Sequence, residues 1–129
     1  TNVTFYGSIS HDKIKELLDK SSILIHPSLE ETFGNVLLEG MARRIPVIGG
    51  FKSGAVPAVL GYGKYGLLCD VQNPIALENT MINLVENKRL QSQIINASTK
   101  YLLDNYLDSK IAERHITCYK KYLFFHSHY

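Results

Sequence analysis

The sequence is poor in cysteine, and neither charge dominates its ionisable residues. Its 2 cysteines, Cys69 and Cys118, lie far apart and form no Cys-x-x-Cys pair. This argues against a disulfide framework or a zinc site and favours a reducing compartment. The 14 Lys and Arg residues are interspersed with 12 Asp and Glu residues, for a formal charge of +2. A nucleic-acid-binding protein would carry a basic footprint, so we expect no nucleic-acid partner.

Long hydrophobic runs are also missing. No apolar stretch approaches the ~20 residues that a membrane-spanning helix needs. We therefore expect no transmembrane segment and a cytoplasmic location, with peripheral membrane association left open for a longer parent protein. Thr1 leads directly into a strand-like segment, Val3–Tyr6, with no signal peptide before it. The first residue is therefore interpreted as a cut inside a larger protein.

The residues that are present suit a single globular domain. The chain has 129 residues, of which 45% are hydrophobic and 20% charged, enough to bury a core. Four short apolar strands are predicted, at residues 3–6, 21–26, 46–49 and 66–69. Helices are predicted from an N-cap at Ser10, near 35–45, over 75–85 where Asn73-Pro74 opens the helix, and over 89–103 and 109–123. Packing of the last helix back on the domain is expected to explain most of its aromatic residues, Tyr119, Tyr122, Phe124 and Phe125.

This alternation of strands and helices predicts an α/β fold over residues 1–129, with a Rossmann-like parallel sheet and flanking helices. In such a sheet ligands bind beyond the carboxyl ends of the strands. The loops that begin at Gly7, His26 and Gly49 are expected to converge there. One edge of the sheet is expected to stay open, which favours self-association.

Residues 26–46, HPSLEETFGNVLLEGMARRIP, are predicted to form a loop and a helix between two strands. The candidate cap residues of this helix are Thr32, Gly34 and Asn35. Its apolar positions, which should face the sheet, are Leu37, Leu38, Met41, Ala42 and Ile45. The opposite face carries a polar stripe of Asn35, Glu39 and Arg43.

Two carboxylates therefore flank the start of this helix: Glu31 in the loop and Glu39 on the outer face. The first backbone N–H groups of a helix have no intrahelical partner, and its start carries roughly half a positive charge. Such a terminus binds anions. A ligand with a diphosphate and several hydroxyl groups would suit it, because the carboxylates accept hydrogen bonds from hydroxyls. A sugar nucleotide fits that description.

Glu31-Thr-Phe-Gly-Asn-Val-Leu-Leu-Glu39 resembles the E-x7-E signature of retaining glycosyltransferases of the GT-B fold, family four (group 1) type. Four further segments resemble the same family: Val3-x-Phe-x-Gly7, His26-Pro-Ser28, Pro46-Val-Ile48, and Gly66-Leu-Leu followed by Asn73-Pro74. The resemblance extends from about Val3 to Leu90, and the joint spacing is far more specific than any one motif.

The resemblance implies that the chain is the later part of the carboxyl-terminal, donor-binding domain, and that the amino-terminal acceptor domain is absent. It implies that Glu31 is the catalytic residue that contacts the donor sugar and that Glu39 holds the ribose hydroxyls. The other donor-binding residues it implies are Phe33, Gly34, Asn35 and Val36, along the sugar and diphosphate, and Gly7, Ser8 and Ile9, along the base.

The family retains the anomeric configuration and uses no metal or other cofactor for transfer. Its members also place an Arg and a Lys on the diphosphate from earlier segments, which this chain does not contain. The resemblance therefore implies an enzyme in the full-length parent and an inactive fragment here. Two alternatives remain open: a nucleotide-sugar epimerase of the same fold, and a non-catalytic α/β module that binds a partner protein through its terminal helix.

Two positions depart from the family pattern. Arg44 stands where the family often has a glycine that ends the helix, so a left-handed Arg44 is predicted unless the helix ends differently. Ala58 follows Pro57 where the family has a glutamate, which removes any polar contact from that segment. His26 is interpreted as a packed or hydrogen-bonded structural residue and is left out of the catalytic set.

Overall fold

A computed structural model describes residues 2–126. The chain forms a three-stranded parallel sheet with helices on both faces, which confirms the α/β prediction. Its elements in order are α1 (His11–Asp19), β1 (Leu24–His26), α2 (Asn35–Ala42), β2 (Val47–Gly50), α3 (Val56–Val59), a 3₁₀ turn (Gly61–Gly63), β3 (Leu67–Cys69), α4 (Pro74–Glu86), α5 (Lys88–Asn105) and α6 (Asp108–His126).

The strand order is β1-β2-β3, with Leu24 opposite Val47 and Ile48 opposite Leu67. Successive residues of β2 point to opposite faces, so Val47 and Ile48 enter different halves of the core. The cluster on one face contains Leu37, Met41, Val47, Val56, Val59 and Leu60. The cluster on the other face contains Ile48, Cys69, Leu84 and Ile94. All four residues of β2 are buried, as expected for the central strand of a parallel sheet covered on both faces.

The predicted strand at residues 3–6 is wrong. This segment has no regular structure, and Phe5 is 94% and Val3 63% exposed. A strand needs a neighbour for its backbone N–H and C=O groups. Within residues 2–126 the segment pairs with neither β1 nor β3, the two edge strands of the sheet.

The helix starts follow the predicted caps. Ser10 Oγ accepts a hydrogen bond from the Lys13 N–H at 3.3 Å at the start of α1. Asn73 Oδ1 accepts from the N–H groups of Ile75 and Ala76 at the start of α4, where Pro74 occupies the first turn. In both places a short polar side chain satisfies N–H groups that have no partner within the helix.

The end of α2 adopts the left-handed conformation predicted at Arg44, with φ of 60°. The Ile45 N–H donates to the Gly40 carbonyl and the Arg44 N–H to the Met41 carbonyl, both at 3.0 Å. This pair of hydrogen bonds is the Schellman motif, in which glycine normally occupies the left-handed position. Arg44 therefore ends the helix in a backbone conformation that glycine usually adopts.

The terminal helix differs from its prediction. Tyr119 is 65% and Tyr122 66% exposed, so α6 leaves most of these two side chains accessible, and the side chains of Phe124 and Phe125 lie outside the described residues. Within residues 2–126, no helix combines the length and apolar character that crossing a bilayer requires. The same residues contain no cluster of three or more His, Cys, Asp or Glu side chains suited to a metal ion.

Candidate functional site

The candidate site lies where β1 and β2 end and their loops meet the start of α2. Two loops are joined there by a backbone hydrogen bond, from the Ala55 N–H to the Glu31 carbonyl, at 2.9 Å. Gly54 precedes Ala55 with φ of +54°, and a Cβ at Gly54 would collide with the Glu31 carbonyl oxygen. The loop after β2 thus braces the backbone that carries Glu31.

The Glu31 carboxylate is engaged at both oxygens. Oε1 accepts from the backbone N–H groups of Thr32, at 3.0 Å, and Phe33, at 3.3 Å. Oε2 lies 3.2 Å from Nε2 of His26, the last residue of β1. The Phe33 N–H, with smaller contributions from His26 and the Thr32 N–H, holds the pKa of Glu31 below its usual 4.5, although partial burial opposes the shift. Glu31 is therefore an ionised acceptor at neutral pH.

The first turn of α2 leaves backbone donors available. Gly34 is the N-cap, as predicted, with φ of 81° and no side-chain cap. A side chain there would press on Leu37 and Glu31, because an added Cβ would lie 2.9 Å from Leu37 Cδ1. Asn35 is exposed and Val36 half-buried, and the N–H groups at this end of a helix have no intrahelical acceptor. They present positive partial charge beside Glu31.

Phe33 lies at the outer edge of this turn. Its side chain is 43% exposed, and its ring centroid is 6.3 Å from that of Tyr106, just after α5. The acidic loop is thus in contact with the far end of α5 as well as with the sheet.

Glu39 lies on the outer face of α2, on the predicted polar stripe, with 27% of its side chain exposed. Its Oε1 is 3.0 Å from Nε2 of His11, which belongs to α1. Arg43, one turn later, donates to the Glu39 carbonyl at 3.1 Å and pairs with Asp19 at 2.8 Å. Two polar contacts therefore connect α1 with α2: His11 with Glu39, and Asp19 with Arg43.

An apolar groove of about 460 Å³ runs between α2 and α5. Its lining includes Glu39, Leu38, Leu103 and Leu107 but not His11. Glu39 consequently has His11 on one side and open space on another.

The predicted base-binding loop, Gly7 to Ile9, immediately precedes the cap of α1. Gly7 has φ of +64°, and a Cβ added at this position would have no atom within 4 Å. Ser8 is exposed and Ile9 half-buried. The structure connects this loop to Glu39 through His11, two residues after Ile9.

Sequence reasoning missed two partners of the acidic residues. His11 is 28 residues from Glu39, and no local pattern marks it. Of the two interpretations of His26, packed or hydrogen-bonded, the structure shows the hydrogen bond, and its partner Glu31 is not indicated by any sequence pattern. Gly54 is a third residue that no local pattern marks, because its contact with Glu31 depends on how two separate loops pack.

The arrangement combines two kinds of groups with different binding preferences. Backbone donors at the start of α2 suit an anion, and the Glu31 and Glu39 carboxylates suit hydroxyl groups. The rim of a parallel sheet places them beyond the strand ends, where ligands of this fold class bind.

Comparison with known proteins identifies the family and the fold. A family model for group 1 glycosyl transferases matches residues 1–101. N-acetyl-alpha-D-glucosaminyl L-malate synthase of Bacillus anthracis is 31% identical over 117 residues, which cover 91% of this chain and 30% of that protein. The chain thus spans less than a third of the length of this relative.

Solved structures show the same fold. Sucrose-phosphate synthase from Thermosynechococcus elongatus superposes with a TM-score of 0.76 at 23% identity, over 93% of this chain and 30% of that one. Anabaena Alr3699/HepE, solved in complex with UDP-glucose, superposes with a TM-score of 0.67 at 21% identity, over 79% of this chain and 29% of that one.

Proposed function

This chain belongs to the group 1 glycosyltransferases and has part of the GT-B fold, and we propose that it is the later part of the donor-binding domain of a two-domain enzyme. The parent enzyme transfers a sugar from a nucleoside diphosphate to an acceptor with retention of configuration. The acceptor-binding domain and the remaining diphosphate ligands come from segments outside this chain. The proposed location is cytoplasmic, free or peripherally at a membrane.

One observation carries the proposal: the start of α2 lies between Glu31 and Glu39, each held by a histidine from another element. A diphosphate placed at the helix start would have the sugar toward one carboxylate and the ribose toward the other. In this assignment Glu31 contacts the donor sugar, and the segment Phe33 to Val36 lies along the sugar and diphosphate. Its backbone donors are the N–H groups after Phe33, because the Phe33 N–H donates to Glu31. Glu39 accepts from the ribose hydroxyls, and Gly7, Ser8 and Ile9 follow the base.

The chemistry of transfer suits these groups. Breaking the bond between the anomeric carbon and the phosphate oxygen leaves extra negative charge on the diphosphate. Backbone donors fixed at a helix start stabilise that charge without reorganising during the reaction. The ionised Glu31, on the sugar side, accepts from a sugar hydroxyl and orients the ring. In this proposal the parent enzyme needs no metal ion for transfer.

A second candidate is supported by α6, whose Ile116, Tyr119 and Leu123 are 52%, 65% and 68% exposed. Such a surface would suit a non-catalytic module that binds a partner protein. The two functions differ in nucleotide binding, which only the first requires.

The test is a binding screen of UDP, GDP and ADP against the full-length protein by calorimetry. Glu39→Ala removes the proposed ribose acceptor and is expected to weaken the nucleotide that binds by about 1.5 to 3 kcal/mol. Glu78→Ala, an exposed glutamate on α4, is the matched control and should bind as wild type does. An unchanged dissociation constant for Glu39→Ala would remove Glu39 from the site, and absence of binding by all three nucleotides would favour the interaction module.

Retention and metal independence are tested on the same protein with its donor sugar. NMR of the first-formed product should show the anomeric configuration of the donor. Transfer should survive EDTA, because the helix start and basic residues offset the charge of the leaving group. Activity lost to EDTA and restored by magnesium or manganese would contradict that part of the proposal. Glu31→Gln should lower kcat, whereas Glu30→Gln, one residue away, should not.

A further inference from the structure

His11 links the two segments to which the proposed function assigns the nucleoside. It follows Gly7 to Ile9, the proposed base loop, and its Nε2 lies 3.0 Å from Oε1 of Glu39, the proposed ribose acceptor. A carboxylate has no proton to give, so the imidazole donates. The contact connects α1 with α2 across 28 residues of sequence.

We propose that His11 is a positioning residue for ribose recognition: it holds Oε1 of Glu39 so that Oε2 stays free for the ribose hydroxyls. This inference rests on the proposed function of Glu39. It assigns to His11 a role that the acidic motif itself does not contain.

The surroundings of Glu39 explain why its side chain needs a partner. Three rotatable bonds separate a glutamate carboxylate from its backbone, and ordering it costs conformational entropy. Glu39 is 27% exposed and lines the open groove toward α5, so packing alone does not fix it. The nearby Arg43 is turned to Asp19 and to the Glu39 carbonyl. A carboxylate ordered before the ligand arrives binds it with less entropy loss.

The chain offers a matched control for a purely structural role. Asp19 and Arg43 form the other polar contact between α1 and α2, at 2.8 Å. If His11 served only to hold α1 against α2, then Asp19→Asn should weaken nucleotide binding as much as His11→Ala does. A positioning role instead predicts that only the His11 variant matters.

The experiment measures the dissociation constants of UDP, GDP and ADP for the full-length protein by calorimetry, in parallel with thermal melts. For the nucleotide that binds, His11→Ala is expected to weaken binding about 3- to 10-fold, as the loss of one hydrogen bond of ordinary strength would, because His11 acts through Glu39 and does not contact the ligand. His11→Gln, whose amide can donate in place of Nε2, should recover most of the affinity. Asp19→Asn should bind within about 2-fold of wild type, since surface ion pairs contribute little.

A double-mutant cycle isolates the coupling. In the Glu39→Ala background, His11→Ala should cause no further loss. The 2′,3′-dideoxy analogue of the nucleotide lacks both ribose hydroxyls. Wild type and His11→Ala should therefore bind this analogue with equal affinity.

Three outcomes would overturn the inference while leaving the proposed function intact, provided that Glu39→Ala itself loses affinity. These are unchanged binding by His11→Ala, an equal loss in Asp19→Asn, and a His11→Ala loss that persists without Glu39 or without the ribose hydroxyls. If no nucleotide binds wild type, or if Glu39→Ala binds normally, the proposed function fails and the inference fails with it.

Discussion

Gly54 and Glu31 are packed backbone against backbone. The Ala55 N–H donates to the Glu31 carbonyl at 2.9 Å, and the absence of a side chain at Gly54 lets the two loops approach this closely. The position of the acidic loop thus depends on a glycine in a different loop. The Glu31 carboxylate in turn is hydrogen-bonded to His26 and to two backbone N–H groups of its own loop.

Gly54→Ala is therefore expected to destabilise the chain by more than its backbone conformation alone would cost. An alanine in the left-handed region costs about 1 kcal/mol relative to glycine. At Gly54 the new methyl group would also collide with Glu31, and we expect a total loss of about 2 kcal/mol or more. Urea unfolding measures this difference.

Gly63→Ala is the matched control. Gly63 also has a positive φ, +96°, but a Cβ added there would have no atom within 4 Å. This variant should show the conformational cost alone, about 1 kcal/mol. Equal stability losses in the two variants would show that the contact between Gly54 and Glu31 does not constrain the loop.

Arg44→Gly is expected to stabilise the chain by about 1 kcal/mol. Arg44 is exposed and holds φ of 60° in the Schellman motif at the end of α2, a conformation that glycine adopts without steric cost. Arg44→Ala removes the same side chain but keeps the Cβ, so it should change stability little. If thermal melts give Arg44→Ala and Arg44→Gly the same Tm, the change in stability comes from loss of the arginine side chain and not from relief of the backbone conformation.

Glu31 is expected to make stability depend on pH in the acidic range. Its folded pKa is lowered, chiefly by the Phe33 N–H. The ionised carboxylate therefore stabilises the folded chain above its usual pKa of 4.5, and this contribution is lost as the pH falls through the lowered value. The Tm of wild type should exceed that of Glu31→Gln at pH 6, and the difference should shrink below about pH 4.5. A difference that stays constant from pH 6 to pH 3 would contradict the lowered pKa.

Local patterns in the sequence were sufficient for much of the fold. The caps Ser10 and Asn73 depend on a few neighbouring residues, and both are confirmed. The left-handed Arg44 is one of the two helix endings that the sequence leaves open, and it is the one observed. The strand predicted at Val3–Tyr6 failed because a strand forms only where another strand supplies its hydrogen bonds, which an apolar pattern cannot reveal.

In the candidate site, too, local features were predicted and contacts that depend on the folded chain were not. Glu31 and Glu39 were found from their spacing around a helix start, a local feature. The contact of Glu39 with His11 became visible only in the folded chain, because α1 and α2 come together across 28 residues of sequence. His26 is only 5 residues from Glu31, but their contact depends on how the loop between them folds back on the end of β1. The assignment of both glutamates to a donor stays a prediction.

The isolated 129-residue chain is expected to fold cooperatively, to associate with itself and to catalyse no transfer. Its two core clusters lie on opposite faces of one sheet, which favours a single unfolding transition. Within residues 2–126, β1 pairs with β2 alone, and an unpaired strand edge can pair with a second chain. Light scattering should show dimers or larger species that an upstream extension suppresses.

Association has a second possible source in this chain, the exposed apolar residues Val3 and Phe5. The double variant Val3→Ser and Phe5→Ser separates the two, because it leaves the edge of β1 unchanged. If the edge drives association, this variant should associate as wild type does, whereas a fully monomeric variant would assign association to the amino-terminal segment.

Sugar transfer by the 129-residue chain from any nucleotide donor would contradict the need for a second domain. A broad, non-cooperative melt would show that three strands and their helices do not suffice for a stable core.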